Sequence, residues 1–134
     1  MPHSIVAELA VVVDNEAPRE ERARAAAEMI RDAGGFDRVR IYDVGDELLT
    51  LVGSAGAAEV GEQRLLVTTG TNGEAVSTRD TAVAIAEAVV PILGAESGVA
   101  IGTLDAGADD SREVSSEQVA FLEDCAAVLR PLYD

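Results

Sequence analysis

Two apolar stretches, Ala88-Val89-Val90-Pro91-Ile92-Leu93 and Gly98-Val99-Ala100-Ile101-Gly102-Thr103-Leu104-Asp105, flank the short segment Gly94-Ala95-Glu96-Ser97. The joining segment is short enough to be a turn, and the second stretch predicts a strand. An acidic loop over residues 106–113 and an amphipathic helix follow. This succession of strand, turn, strand, loop and helix indicates a domain that mixes α and β structure.

The first of these stretches belongs to residues 81–93, which have two possible interpretations. Asp80 could cap one alanine-rich helix. Alternatively, residues 81–85 and 88–93 form two strands. Pro91 favours the strands, because proline ends a helix but is tolerated at an edge or a bulge of a strand. The residues alone leave both interpretations open.

Two helices are predicted at the start of the chain. Residues 5–13 carry apolar side chains at helical spacing, with Ser4 as a cap, although their β-branched content also fits a strand. Residues 18–33 form a clearer helix, because alanines and an isoleucine line one face and Gly34-Gly35 supplies a left-handed end. The chain thus begins with a pair of helices.

The middle of the chain predicts strands. Residues 39–44 and 47–54 alternate in polarity and are joined by a turn, which is typical of a hairpin. A third strand is predicted over residues 64–69, and a short helical turn over residues 74–78.

The last helix has a well-formed start. Ser115 and Gln118 have the spacing of a capping box, and Val114 can pack onto Val119. An apolar stripe follows, and Pro131 ends the helix.

This order of elements resembles that of a GAF domain. The resemblance covers roughly residues 4–133 and rests on the Val-Pro-Ile-Leu strand, the Val-Ala-Ile-Gly-Thr-Leu strand and the capped last helix. It implies a single domain over residues 1–134 of the α+β class, with a central antiparallel sheet and the N- and C-terminal helices packed on one face. Family members bind cyclic nucleotides, bilins, haem or small metabolites, or bind nothing and dimerise through their terminal helices.

The chain departs from the family pattern at one place. In ligand-binding members, a long segment with a helix separates the strands that correspond to residues 81–85 and 88–93, and it covers the pocket. Almost nothing lies between Ile85 and Ala88. The chain is therefore interpreted as a truncated GAF-like domain without that cover, and we expect a reduced pocket and no cofactor.

The composition narrows the possible partners. The chain has 134 residues, a formal net charge of −15 and only arginine as its basic residue type. Such acidity repels phosphate backbones, so no nucleic-acid partner is expected. The absence of lysine suggests a protein from a halophile, whose stability should rise in molar KCl because salt screens self-repulsion.

The sequence predicts neither a membrane span nor a signal peptide. The apolar segments are shorter than the roughly 20 residues that span a bilayer, so no membrane partner is expected. The start, Met1-Pro2-His3-Ser4, lacks the basic region of a signal peptide, and a cytoplasmic location is predicted.

The single cysteine and the single histidine are weak candidates for catalysis. Cys125 lies on the apolar stripe of the last predicted helix, which favours a buried side chain over a reactive thiol. One GAF-like group reduces free methionine sulfoxide, and that chemistry needs a thiolate and a resolving thiol. His3 lies among the terminal residues, where a frayed end is expected.

Three polar groups invite a functional interpretation. Gly70-Thr71-Asn72-Gly73 lacks the ending of a phosphate-binding loop and is predicted to be a turn. Arg64 and Arg79 are expected to be exposed and paired with carboxylates. An acidic cluster without EF-hand spacing is predicted to be a solvated loop; its members are Asp105, Asp109, Asp110 and Glu113. No catalytic, cofactor-binding or metal-binding residue is therefore assigned.

The sequence predicts a non-catalytic GAF-like signalling or regulatory module and not an enzyme. It would act as a homodimer, through residues 5–13 and 115–132, or through a protein partner. The alternative is a small-molecule sensor domain with a reduced ligand pocket.

Overall fold

The computed structural model describes residues 2–56, 64–67, 70–108 and 112–133. Four α-helices are present: α1 Pro2–Val13, α2 Arg19–Gly34, α3 Gly70–Thr78 and α4 Ser116–Val128. Six strands are present: β1 Arg38–Val44, β2 Leu48–Gly56, β3 Arg64–Leu66, β4 Ala82–Ala84, β5 Glu87–Leu93 and β6 Ala100–Gly107. A short 3-10 helix, Arg130–Tyr133, follows α4.

The six strands form one antiparallel sheet in the order β3-β2-β1-β6-β5-β4. The central pair joins β1 to β6, with Arg40 opposite Asp105 and Tyr42 opposite Thr103. Strands β5 and β6 form the hairpin that the two apolar stretches predict. The α+β fold class, with a central antiparallel sheet, is confirmed.

Helices α1, α2 and α4 lie on one face of the sheet, as predicted. Helix α2 packs on β1 and β2, α4 packs on β5 and β6, and α1 packs against α2 and α4. Helix and sheet approach closely at Gly53, where a Cβ would lie 2.7 Å from the Cβ of Ala23. The buried core between these layers includes Ile30, Ile41 and Leu122. Truncation of such a side chain to alanine typically costs about 2–5 kcal/mol.

The predicted end of α2 and the predicted start of α4 are confirmed. Gly35 closes α2 in the left-handed conformation, with a φ of 75°. At α4, the Ser115 hydroxyl accepts from the Gln118 N–H at 3.0 Å, and the Gln118 side chain accepts from the Ser115 N–H at 2.9 Å.

Within the part of the chain that is described, no helix has the length and apolar character needed to cross a membrane.

Residues 81–93 form two strands, so the interpretation that Pro91 favoured is confirmed. Pro91 lies within β5. The turn between β4 and β5 is tight, and Ala86 occupies it with a φ of 64°.

The prediction that the second face of the sheet lacks a covering segment is wrong. Helix α3 lies on that face against β4, β5 and β6, and its Ala75 packs with Ala82 and Val89. The covering segment lies between β3 and β4, whereas the family pattern predicted it between Ile85 and Ala88. The prediction failed because it assigned the gap to the wrong pair of strands.

Candidate functional site

A cleft of about 160 Å³ lies between α3 and the second face of the sheet. Its walls come from β1, β5, β6 and α3, and its lining residues are Arg38, Arg40, Tyr42, Asn72, Glu87, Asp105, Ala106 and Gly107. Most of these side chains are charged or polar. The cleft is therefore a polar site in a domain whose other layer is an apolar core.

Strand alternation explains why polar side chains collect here. Successive residues of a strand point to opposite faces. On β1, Val39 and Ile41 point into the helix-packed core, so the residues between and beyond them, Arg38, Arg40 and Tyr42, face the cleft. The same strand thus serves the core with one face and the site with the other.

Asp105 is the central acidic group of the cleft. Its Oδ2 accepts a hydrogen bond from the Asn72 Nδ2 on α3. Its Oδ1 has almost no solvent-accessible surface and no hydrogen-bond partner among the described residues. The neighbouring Thr103 hydroxyl is also buried and has no partner in hydrogen-bond geometry, yet it lies close enough to Asp105 to favour the ionised carboxylate.

The surroundings of Asp105 favour its protonated form. Burial raises the pKa of this carboxyl to about 7. The hydrogen bond from Asn72, the nearby Thr103 hydroxyl and the positive charge of Arg40 oppose the shift, whereas the negative charge of Glu87 adds to it. An aspartate with such a pKa can either accept or donate a hydrogen bond near neutral pH.

Gly107 makes room at the second end of the cleft. A Cβ on this residue would lie 2.6 Å from the Ala86 carbonyl oxygen and 3.0 Å from the Arg38 Nη2. Arg38 crosses the strand at this point, and its Nη1 donates to the Ala108 carbonyl at 2.9 Å. Only glycine therefore allows the Arg38 guanidinium to lie close to β6.

A second cluster fixes the strand end next to the cleft. The Tyr133 hydroxyl donates to the Tyr42 carbonyl at 2.7 Å. Arg19 lies over the Tyr133 ring, with its guanidinium carbon 5.2 Å from the ring centre, and its Nη1 donates to the Asp43 Oδ2 at 3.0 Å. Its Nε donates to the Leu132 carbonyl at 2.7 Å. The end of the chain is thereby tied to the strand that carries Tyr42.

The pKa values in this cluster follow from its contacts. The hydrogen bond to Asp43 is the main cause of the raised pKa of Arg19. Burial raises the pKa of Tyr133, and the nearby Asp43 adds to the effect. Tyr133 therefore stays protonated and keeps donating its hydrogen bond across the physiological range of pH.

The structure separates the members of the predicted acidic cluster. Asp105 belongs to β6 and faces the cleft, so its assignment to a solvated loop is wrong. Glu113 is exposed, while Asp109 and Asp110 lie outside the described residues. Among the residues that are described, no group of three or more His, Cys, Asp or Glu side chains could hold a metal ion.

The other sequence candidates are spread over the molecule. Gly70-Thr71-Asn72-Gly73 forms the first turn of α3, not a loop before it. Arg79 is exposed, as predicted, but it forms no ion pair within the described residues. The side chains of His3 and Arg64 lie outside the described part of the chain.

Cys125 lies on the helix-packed side of the sheet, away from the cleft. It is fully buried in the core, as the sequence predicts. Burial is the main cause that raises the pKa of its thiol to about 12, and the charge of Asp124 adds to it. The thiol is therefore protonated at neutral pH.

Arg40 and Asn72 were missed as site residues by the sequence analysis. The alternation of Arg38, Arg40 and Tyr42 with the apolar residues of β1 was visible in the sequence. Asn72 gave no signal of its own, because its role depends on where α3 crosses the sheet.

No family model and no curated protein sequence matches the chain. Many solved structures match its fold. The GAF domain of an Acinetobacter phosphoenolpyruvate-protein phosphotransferase superposes with a TM-score of 0.81 at 15% identity, over 96% of this chain and 90% of that chain. The corresponding GAF domain from Coxiella burnetii has a TM-score of 0.81 at 18% identity, over 96% of this chain and 89% of that chain.

Enzymes share this fold. A free methionine-R-sulfoxide reductase from Neisseria meningitidis superposes with a TM-score of 0.80 at 21% identity, over 98% of this chain and 87% of that chain. Further free methionine-R-sulfoxide reductases are among the matches. The prediction that the chain is not an enzyme is therefore wrong as an exclusion, since proteins of the same fold catalyse a reaction. The comparisons show that the chain has a GAF-like fold.

Proposed function

We propose that the chain is a sensory module that binds a small polar molecule in the cleft between α3 and the sheet. The observation that carries the proposal is the unpartnered Oδ1 of Asp105, which is buried next to the Arg40 side chain. A buried polar atom without a partner costs free energy, and a ligand that supplies the partner recovers it. The GAF domains among the structural matches support a sensory role for the fold.

The cleft sets the size of the ligand. Its volume of about 160 Å³ corresponds to about five water molecules at roughly 30 Å³ each. Sites for drug-sized ligands have volumes of about 300–1,000 Å³. The ligand is therefore a metabolite with a handful of non-hydrogen atoms.

Two contacts give such a ligand a route to the rest of the domain. The hydrogen bond from Asn72 ties α3 to Asp105, so a ligand at this carboxylate acts on the position of the helix. The backbone of Tyr42 is tied to Tyr133 at the end of the chain, so a shift of β1 reaches the terminal segment. Ligand binding would thus bias the two segments that cover the sheet.

A thermal-shift screen with a library of small metabolites tests this function. We expect at least one compound to raise the melting temperature, because a ligand that binds only the folded state stabilises it. The shift should disappear in the Arg40→Gln variant and persist in Arg24→Gln. The second substitution removes the same charge from an exposed residue of α2, on the opposite side of the sheet. A screen without any stabilising compound, or a shift that survives Arg40→Gln, would contradict the proposal.

A second candidate function is association through the helical layer. Val11 on α1 is 71% exposed, although it is a large apolar residue. A separate groove of about 410 Å³ lies in the same layer, between α1, α2 and α4, and its lining includes Ile5 and Phe121. A homodimer that pairs α1 and α4 across a two-fold axis would cover these residues.

Sedimentation in molar KCl tests the dimer. We expect Val11→Glu to shift the equilibrium toward monomer, because it places a charge in the contact. The matched control is Val83→Glu, which changes an equally apolar residue, 55% exposed, on the edge strand β4 and not on α1 or α4. A wild-type protein that stays monomeric at high concentration would defeat this candidate.

A further inference from the structure

Two rows of residues cross the cleft. In one row, Gly107 on β6 separates Arg38 on β1 from Glu87 on β5. In the next row, Arg40 on β1 stands directly opposite Asp105 on β6. The charges of the first row have opposite signs, and Glu87 also acts on Asp105. Arg40 and Asp105 are the charged pair that a ligand meets at the centre of the cleft.

Arg40 has hydrogen-bonding capacity to spare. Its guanidinium forms no hydrogen bond and no ion pair with any described residue. A guanidinium carries five N–H donors in a plane and matches the two oxygens of a carboxylate. This side chain is thus suited to hold an anion that has two coplanar oxygens.

Asp105 complements that anion when it carries a proton. Its Oδ2 is occupied by the Asn72 amide, which leaves the buried Oδ1 as the position for the proton. A protonated Oδ1 becomes a donor and no longer lacks a partner once an acceptor enters the cleft. Burial already favours this form, since it raises the pKa of Asp105 to about 7.

The titration of Asp105 depends on groups from every element around it. The charged and polar side chains that face it or share its cleft are Arg38, Arg40 and Tyr42 from β1, Glu87 from β5, Thr103 from β6 and Asn72 from α3. Tyr133, from the terminal 3-10 helix, is close enough to interact with its charge.

We propose that the cleft binds a small monocarboxylate, held by Arg40, and that Asp105 takes up one proton from solvent as this anion binds. The inference rests on the sensory function proposed above, because it names the ligand class of the same site. In the complex, the Asp105 O–H donates to one carboxylate oxygen and Arg40 donates to both. The anion is neutralised by Arg40, and each polar atom of the pair has a partner.

A zwitterion such as a free amino acid would satisfy the cleft differently. Its ammonium group would pair with an ionised Asp105, so no proton would be taken up. The observations favour the simple anion, because the ionised form of Asp105 is the one that burial disfavours. The two ligand classes therefore differ in their dependence on pH.

Isothermal titration calorimetry with acetate, propionate and pyruvate, and with glycine as the zwitterion, tests the proposal. Titrations from about pH 6 to about pH 8.5 should show binding of a monocarboxylate that weakens about tenfold per pH unit above the pKa of Asp105. Repeating the titration in buffers with different ionisation enthalpies should show the uptake of about one proton at the alkaline end.

Three variants separate the roles of the residues. Arg40→Gln should weaken binding of the carboxylate by at least about tenfold at every pH, as expected for loss of a charge-assisted hydrogen bond. Asp105→Asn should lose the pH dependence of binding, because its amide donates without a proton from solvent. Arg24→Gln should behave as the wild type. Circular dichroism of each variant confirms that it is folded before binding is compared.

Three results would overturn the inference. Monocarboxylate binding that does not change with pH would show that Asp105 takes up no proton on binding. Tighter binding of glycine than of acetate would assign the cleft to a zwitterion. A different class of compound that binds in the library screen and depends on Arg40 would refute the carboxylate but keep the sensory function. If no compound in either experiment depends on Arg40, both proposals fail.

Discussion

Gly102 lies directly beneath the ring of Tyr133: a Cβ at this position of β6 would lie 2.6 Å from the Tyr133 Cε1. The close approach lets the Tyr133 hydroxyl reach the Tyr42 carbonyl and places the ring under Arg19. One glycine thus sets the position of the terminal segment, and through it the end of the strand that borders the cleft.

Gly102→Ala should destabilise the domain by about 1–3 kcal/mol, because overpacking of a well-packed site has this cost. The added methyl group would push the Tyr133 ring away and lengthen its hydrogen bond to Tyr42. Urea denaturation measures the loss.

A double-mutant cycle with Tyr133→Phe identifies the cause of that loss. Removal of the hydroxyl alone should cost about 1 kcal/mol. If Gly102→Ala acts by displacing this ring, the double variant will lose less stability than the sum of the two single losses. The reason is that the second change removes a contact that is already broken. Strict additivity would show that the methyl group strains another neighbour.

Arg19 and Asp43 form an ion pair whose side chains are 32% and 38% exposed. Asp43→Asn should therefore cost no more than about 1 kcal/mol, because such exposed pairs are weak. The loss should shrink as KCl is added, since salt screens the pair. The control is Asp32→Asn, whose ion pair with Arg31 is more exposed and joins adjacent residues of one helix. An equal loss in both variants would contradict the special role of the Arg19 cluster.

Asp105 should make the stability depend on pH in a particular direction. In the unfolded chain an aspartate has a pKa of about 4, whereas burial raises the pKa of Asp105 in the folded protein to about 7. The folded state then binds more protons than the unfolded state between these values. The free energy of unfolding contributed by this group therefore falls as the pH rises from about 4 to about 7, and it is constant above that range.

Asp105→Asn removes this dependence while keeping an acceptor for Asn72. As the pH rises from about 4.5 to about 8, the free energy of unfolding of the variant should increase by roughly 1–3 kcal/mol relative to that of the wild type. The expected gain is smaller than the full pKa shift would give, because the residue is partly exposed. Urea denaturation of both proteins at each pH measures the difference. A wild type and a variant with parallel pH profiles would show that Asp105 titrates normally.

The sequence predicted the elements well where local signals were strong. The capping box at Ser115 and the left-handed end at Gly35 are local, and both are present in the structure. Pro91 also correctly favoured two strands over one helix for residues 81–93. Each of these signals depends on the backbone of a few neighbouring residues, which a sequence displays directly.

The cleft was harder to predict because it depends on pairing between distant segments. Asp105 looked like the start of an acidic loop, and only the register of β6 against β1 places it opposite Arg40. Asn72 sits in a glycine-rich stretch that resembled a turn, and only the path of α3 over the sheet brings it to Asp105. The length of β6 and the position of α3 therefore cannot be predicted from neighbouring residues alone.

The charge of the chain leads to the last prediction. A formal net charge of −15 on 134 residues makes the folded state repel itself. The described residues form only a few ion pairs, and those are partly exposed, so little of the repulsion is offset locally. We therefore expect the melting temperature to rise between low and molar KCl, most steeply at the start, where the Debye length falls fastest. Comparison of KCl with an equal concentration of sucrose distinguishes screening from exclusion of the solute, because a neutral solute cannot screen charge. A melting temperature that is flat or falls with KCl would reject the interpretation of the surface as adapted to salt.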